Sequence, residues 1–189
     1  MSRLPIPTLE EMSKAQRRIH DEIASGPRGT VPAPQQIWLH APDFCDVAQK
    51  LGAYCRYGSS LPTELSELAI LVVGRHWQAD YEWWAHARIA REAGLPEAII
   101  EAIRVGQAPD FVDQDLRAEV IYETAKEMLE TQRLTQDSYD RALAALGRQG
   151  LVEVVGIVGY YCLISLTLNV FDVKTPDGTQ PFAGVAPNR

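Results

Sequence analysis

The sequence predicts an all-α fold, a single-domain helical bundle of six to eight helices that forms oligomers. Apolar residues recur at i, i+3, i+4 and i+7, and residues typical of helix ends flank these segments. No run of alternating apolar and polar residues is long enough to predict a strand. The expected helices span 8–25, 42–57, 64–77, 81–93, 96–105, 113–131, 135–147 and 150–171, with a short helical turn at 35–40.

Capping residues set the boundaries of the two central helices. Thr63 and Asp80 are predicted N-caps, and Gly94 is predicted to end the second helix. We expect residues 1–173 to form the helical domain. Residues 174–189 are rich in proline, glycine and polar side chains, which predicts a C-terminal tail or an arm over a neighbour.

Composition narrows the class of protein. The net charge of −7 and the scattered basic residues argue against a nucleic-acid partner, because phosphate binding needs clustered Lys and Arg. Cys45, Cys55 and Cys162 form no CxxC motif, and no apolar signal segment follows the N-terminus. These features predict a cytoplasmic protein with free thiols.

The apolar segment 151–171 has two interpretations. It is about as long as a membrane span, but it contains Glu153 and no Lys or Arg immediately flanks it. We therefore expect a buried helix and no membrane partner. A single chain of this size has little volume to bury it on all sides, which also favours a homo-oligomer.

The segment Glu64–Arg91 holds the densest polar chemistry. The spacing of four places Glu82 and His86 on one helix face, about 5–6 Å apart at their Cβ atoms. A carboxylate raises the pKa of a neighbouring imidazole and fixes its tautomer, and Glu67 on the preceding helix would add a second carboxylate. The three residues are candidate acid/base catalysts.

Simpler interpretations exist for the same segment. A Glu–His pair at this spacing is often a solvated surface contact, and Tyr81, Trp83 and the neighbouring tryptophans pack equally well in a core or an interface. His76 lies where it would contact the C-terminus of its helix. Without HExxH or a cysteine pair we expect no metal.

The run from Leu61 through Gly94 resembles the signature of the carboxymuconolactone decarboxylase and alkyl hydroperoxidase D-like superfamily. In the peroxidase branch, Glu is followed by eleven residues, CxxC, three residues and His. Aligned without gaps, the Glu and His fall on Glu67 and His86, and the two cysteines fall on Ala79 and Glu82. The segment RHWQADYEWWAH is similar to the YEWxxH variant of this signature. The resemblance extends to four further segments: GPRGTVPAP, LHAPDF, GAYCRYGSSLP and LVEVVGIVGYYCLISLTLN.

The resemblance implies an alkyl hydroperoxidase D-like bundle, assembled as trimers or hexamers. It also implies a cofactor-free lyase acting on a small organic acid or lactone, in aromatic or related catabolism. In that reaction His86 is the proton donor, Glu82 orients it and Glu67 modulates it. Arg28 and Arg75 are candidate carboxylate clamps, unless they form a loop hydrogen bond and a surface ion pair. Tyr81 and Trp83 would favour a larger or aromatic-derived substrate.

Two other functions stay open. A thiol-dependent hydroperoxide reductase would need one of the remaining cysteines in place of the missing pair. A non-catalytic helical binding protein would use the Glu82–His86 pair only for structure.

Overall fold

The computed structural model describes residues 2–187 and is all-helical over that range, which confirms the predicted fold class. The eight α-helices are α1 Lys14–Ser25, α2 Ala33–Trp38, α3 Pro42–Ala53, α4 Thr63–His76, α5 Asp80–Glu92, α6 Glu97–Val105, α7 Leu116–Thr131 and α8 Gln136–Val170.

Helix α4 is the centre of the bundle. Every residue from Leu65 to Arg75 is buried, and α4 packs against α5, α6, α7 and α8. A helix surrounded on all sides must be apolar all round or must pair its polar groups. Its buried ionisable residues, Glu67 and Arg75, therefore need an explanation from their surroundings.

The predicted helices at 135–147 and 150–171 form one long element with a break. Gly147 adopts φ 69° and ψ 177°, so the break lies at this glycine and not at Gly150. The element is long and apolar enough to cross a membrane, but most of its apolar stretch is buried within the chain. Its packing against α4 and α7 is typical of a core helix in a soluble protein.

Three predicted helix starts need correction. Thr63 is the first residue of α4 and Pro62 precedes it without a side-chain cap. Asp80 is likewise inside α5, and its carboxylate instead accepts a hydrogen bond from the backbone N–H of Phe182 at 3.0 Å. Helix α1 begins at Lys14 rather than at residue 8, because Ser13 and Gln16 form a capping box there.

A short π-helical turn, Tyr54–Gly58, ends the element that was expected to continue as an α-helix to residue 57. Glu153 of α8 holds this turn by accepting hydrogen bonds from Tyr54 Oη at 2.7 Å and from the Ser60 backbone N–H at 2.9 Å. Near its start, a Cβ on Gly52 would lie 2.1 Å from Tyr160 Oη, so α3 and α8 approach closely. These contacts fix the direction of Arg56 and Tyr57.

The segment after α8 folds back along α4 and α5. Trp84 Nε1 donates to Asp177 at 2.9 Å, and the buried ring of Phe182 packs edge-on against Trp83, with centroids 5.2 Å apart. Further on, Arg75 Nη2 donates to the carbonyl of Ala186 at 2.9 Å. This segment therefore covers the C-terminal end of α4.

Candidate active site

Glu67, His86 and Glu82 come together between α4 and α5. His86 Nδ1 lies 2.6 Å from Glu67 Oε2 in a buried hydrogen bond, and His86 Nε2 lies 3.1 Å from Glu82 Oε1. The second contact is not aligned as a hydrogen bond, and Glu82 Oε1 has no hydrogen-bond partner among the described residues. Glu67, rather than Glu82, therefore makes the bond that orients the imidazole.

The two carboxylates decide the charge of the imidazole. Burial lowers the pKa of His86, but Glu67 and Glu82 outweigh it and raise the pKa from 6.5 to about 9. The ring of Tyr161 packs edge-on against the imidazole, with centroids 5.0 Å apart. At neutral pH His86 is an imidazolium that holds a proton between two carboxylates.

His86 and Glu82 line a cavity of about 640 Å³, which is large enough for a small organic ligand. Its walls are largely aromatic and apolar, and they come from the 30–36 loop and helix, from α5 and from α8. The lining includes Val31, Pro32, Pro34, Tyr81, Trp84, Ile89, Tyr160, Tyr161 and Ile164.

Arginines and an amide oxygen without a hydrogen-bond partner among the described residues also contribute to the cavity. Arg28 Nη2 and Gln35 Oε1 are buried without hydrogen-bond partners among the described residues. The Arg28 and Arg56 guanidinium carbons lie 5.8 Å and 5.2 Å from the centroid of the Tyr57 ring. A buried guanidinium N–H without an acceptor is suited to an anionic group of a ligand.

The other predicted binding residues are divided by the fold. Tyr81 lines the cavity with His86. Trp83 is buried against Phe182, and Arg75 lines a second cavity with residues of α6 and α7. Arg75 is also only 7% exposed, so the surface ion pair considered for it is not formed.

Several cavity residues were not predicted. Arg56 and Tyr57 reach the cavity through the π-helical turn, and Gln35, Tyr160 and Tyr161 reach it from α2 and α8. Tyrosines in an apolar helix are typical of any core, so their pattern carried no signal. The resemblance of GAYCRYGSSLP to the superfamily was the one hint at Arg56 and Tyr57.

The three cysteines are all free. Burial raises the pKa of Cys45 and of Cys55 to about 11, and it also raises the pKa of Cys162. They are thiols at neutral pH, whereas a peroxide-reducing cysteine reacts as the thiolate. Across residues 2–187, no group of three or more His, Cys, Asp or Glu is arranged to hold a metal ion.

Comparisons with known proteins agree with the resemblance seen in the sequence. The sequence model of the carboxymuconolactone decarboxylase family matches residues 42–119, which include Glu67, Glu82 and His86. No curated protein matches the chain.

Two solved structures are similar in fold. One is an alkylhydroperoxidase AhpD core, a peroxidase-related protein from Ralstonia eutropha JMP134, with a TM-score of 0.75, 16% identity and coverage of 99% of this chain and 98% of that chain. The other is a peroxidase-related protein from Silicibacter sp. TM1040, with a TM-score of 0.73, 14% identity and 90% of each chain covered. At these identities the likeness shows the fold alone.

The raised pKa of His86 predicts a pH-dependent stability. Because its folded pKa of about 9 exceeds the unfolded value of 6.5, the stabilisation by protonated His86 is complete below pH 6.5 and is lost as the pH rises through about 9. The free energy of unfolding, measured in urea, should fall over this range by at most about 1.4 kcal/mol per pH unit.

Glu67→Gln should shrink this fall, because it removes one of the carboxylates that raise the His86 pKa. Nuclear magnetic resonance of 13C-labelled histidine measures the pKa directly. Glu92→Gln, an exposed carboxylate of the same helix, is the control and should leave the His86 titration unchanged. A wild-type His86 that titrates below pH 6.5 contradicts the prediction.

Proposed function

From the premise that this chain belongs to the carboxymuconolactone decarboxylase and alkyl hydroperoxidase D-like superfamily, we propose that it is a cofactor-free acid/base lyase. Its substrate is a small organic acid or lactone. One observation carries the proposal: an imidazolium buried between two carboxylates faces a cavity, and one of these carboxylates, Glu82, aligns with a cysteine of the peroxidase branch.

The proposed roles follow from which atoms face the cavity. Glu67 accepts a hydrogen bond from Nδ1–H of His86 and orients the ring, while His86 and Glu82 line the cavity. In a decarboxylation the C–CO₂ bond breaks, its electron pair stays on the carbon, and the Nε2 proton of His86 adds to that carbon. The neutral imidazole then regains a proton from water.

Glu82 is the second proton-transfer group. Its Oε1 has no hydrogen-bond partner among the described residues and lies 3.1 Å from Nε2, so it can accept a proton from an acidic C–H or O–H of a ligand. The same pair would serve an isomerisation or a dehydration. We therefore propose an acid/base lyase, and decarboxylation is the reaction to be tested first.

The substrate class follows from the walls of the cavity. The unpaired Nη2 of Arg28 suits one carboxylate, and the neighbouring Oε1 of Gln35 suits a hydroxyl or N–H donor. The tyrosines and Trp84 suit an apolar or ring-shaped body. An aromatic-derived monocarboxylic acid or lactone fits these features, and we propose that the protein acts in aromatic catabolism in the cytoplasm.

The first test is a substrate panel. Small carboxylic acids and carboxylated lactones are screened for release of CO₂ and for changes in ultraviolet absorbance. On any substrate that the wild type turns over, His86→Gln should reduce kcat at least about a hundredfold, because a positioned proton donor contributes 10²–10⁴-fold.

His20→Gln is the matched control. His20 lies on α1 beside Asp21, away from the residues that line the cavity, so this variant should retain full turnover. Far-UV circular dichroism checks that each variant keeps its helices. An active His86→Gln variant with wild-type kcat overturns the assignment.

A solvated Glu82–His86 pair away from any pocket would favour the alternative of a non-catalytic binding protein. In the structure these residues are only 3% and 5% exposed, and they line a cavity. Burying three ionisable groups without a function would cost stability for no gain.

The peroxidase-like alternative is favoured only by the names of the two similar structures. The assay measures the reduction of cumene hydroperoxide with dithiothreitol as reductant. We expect the wild type and the triple variant Cys45→Ser/Cys55→Ser/Cys162→Ser to show the same rate, which is the rate measured without enzyme. The reason is the raised pKa of all three thiols. Wild-type turnover that the triple variant loses would favour the peroxidase.

We also propose that the chain is a homo-oligomer, a trimer or hexamer as in the superfamily. Two adjacent rows of apolar side chains are left exposed. On α3 they are Phe44, Val47, Leu51 and the following Tyr54, and on α8 they are Val152, Val155, Leu166 and Val170. Tyr54 Oη donates to Glu153 at 2.7 Å, so the two rows are neighbours. Contiguous apolar surface of this kind is typical of an interface.

A negative charge introduced into this apolar face tests the oligomer. Val152→Asp should lower the mass measured by light scattering, because a buried carboxylate at an apolar interface is unfavourable. Val112→Asp is a matched control, since Val152 and Val112 are 70% and 71% exposed but Val112 lies in a loop before α7. A wild-type mass of 21.0 kDa contradicts the oligomer.

A further inference from the structure

A second cavity lies at the C-terminal end of α4, apart from the one that contains His86. It has a volume of about 420 Å³ and is enclosed by α4, α6, α7 and the end of the C-terminal segment. Its lining consists of Val72, Arg75, His76, Ile103, Val105, Gly106, Tyr122, Lys126, Leu129, Glu130, Ala186 and Pro187. None of these residues lines the His86 cavity.

Arg75 is the unusual residue of this cavity. It is 7% exposed, its Nη2 donates to the Ala186 carbonyl at 2.9 Å, and its Nε and Nη1 are buried without hydrogen-bond partners among the described residues. Among residues 2–187, no carboxylate lies within ion-pair distance of the Arg75 guanidinium. A buried charge without a counter-ion is costly, so residues 2–187 leave this site incomplete.

The surroundings hold the guanidinium in place. The Phe182 ring centroid lies 5.9 Å from the guanidinium carbon. Gly106 approaches so closely that a Cβ there would lie 2.8 Å from Nη2, and its φ of +76° also favours glycine. The head group of Arg75 is therefore positioned before any ligand binds.

The charged side chains near Arg75 do not neutralise its guanidinium. Lys126 and Glu130 neutralise each other, with Nζ and Oε1 2.8 Å apart. Burial lowers the pKa of His76, and Glu130 raises it by less, so His76 is neutral at pH 7. The cavity thus has a net positive charge beside apolar walls from Val72, Ile103 and Leu129.

We propose that this cavity binds a small carboxylate, which pairs with the guanidinium of Arg75. The apolar walls favour a carboxylate with a hydrocarbon body over a free inorganic anion. Arg75 is eight residues from Glu67 on α4, which is about 12 Å along the helix axis. The site is therefore separate from the proposed catalytic site and does not depend on the proposed function.

The test is calorimetric titration with 4-bromobenzoate at low ionic strength. All chains carry Arg28→Gln, so that the first cavity lacks the unpaired guanidinium nitrogen of Arg28. Adding Arg75→Gln should weaken binding at least about tenfold, because a charge-assisted hydrogen bond is lost. Adding Arg148→Gln, an exposed arginine at the start of the apolar half of α8, should change nothing.

Two further measurements test the proposed carboxylate site even if the Arg75→Gln variant does not fold. Lys126→Glu alters an exposed side chain at the rim, keeps Arg75, and should also weaken binding, because it makes the cavity more negative. In wild-type crystals soaked with 4-bromobenzoate, the bromine anomalous signal should lie in the cavity beside Arg75. Binding unaffected by both variants, bromine only elsewhere, or tighter binding of inorganic phosphate would overturn the proposal.

Discussion

The buried hydrogen bond between Glu67 and His86 is the interaction on which the arrangement of this protein depends. It joins α4 to α5 at 2.6 Å, and both side chains are buried. Removing His86 would leave the buried Glu67 side chain without its hydrogen-bond partner. The bond therefore fixes both the rotation of α5 on α4 and the direction in which Nε2 points.

The same packing explains why α4 can carry ionisable groups at all. Its apolar residues contact four other helices, and its polar residues lie where a neighbouring segment provides a partner or leaves a cavity. Glu67 faces α5, and Arg75 faces α6, α7 and the C-terminal segment. One helix thus supports an acid/base site near one end and a guanidinium near the other, separated by two turns of buried apolar residues.

Local patterns predicted the parts of the site that lie close in sequence. Glu82 and His86 share a helix face because they are four residues apart, whatever the rest of the chain does. Glu67 was found through a spacing that resembles the superfamily signature. Trp83 packs against Phe182, because neighbouring aromatic residues on a helix point in different directions and the tertiary packing decides which of them is covered.

The sequence by itself determined the helical class, the Glu82–His86 pair and the absence of the CxxC motif, since each depends on residues that are close along the chain. Only the tertiary structure decided that Glu67 orients the imidazole, that Arg28 shares a cavity with His86, and that Arg75 does not. Helix periodicity specifies which residues share a face. Long-range packing determines which helix faces contact each other. That packing places Arg28 and Arg75 in different cavities.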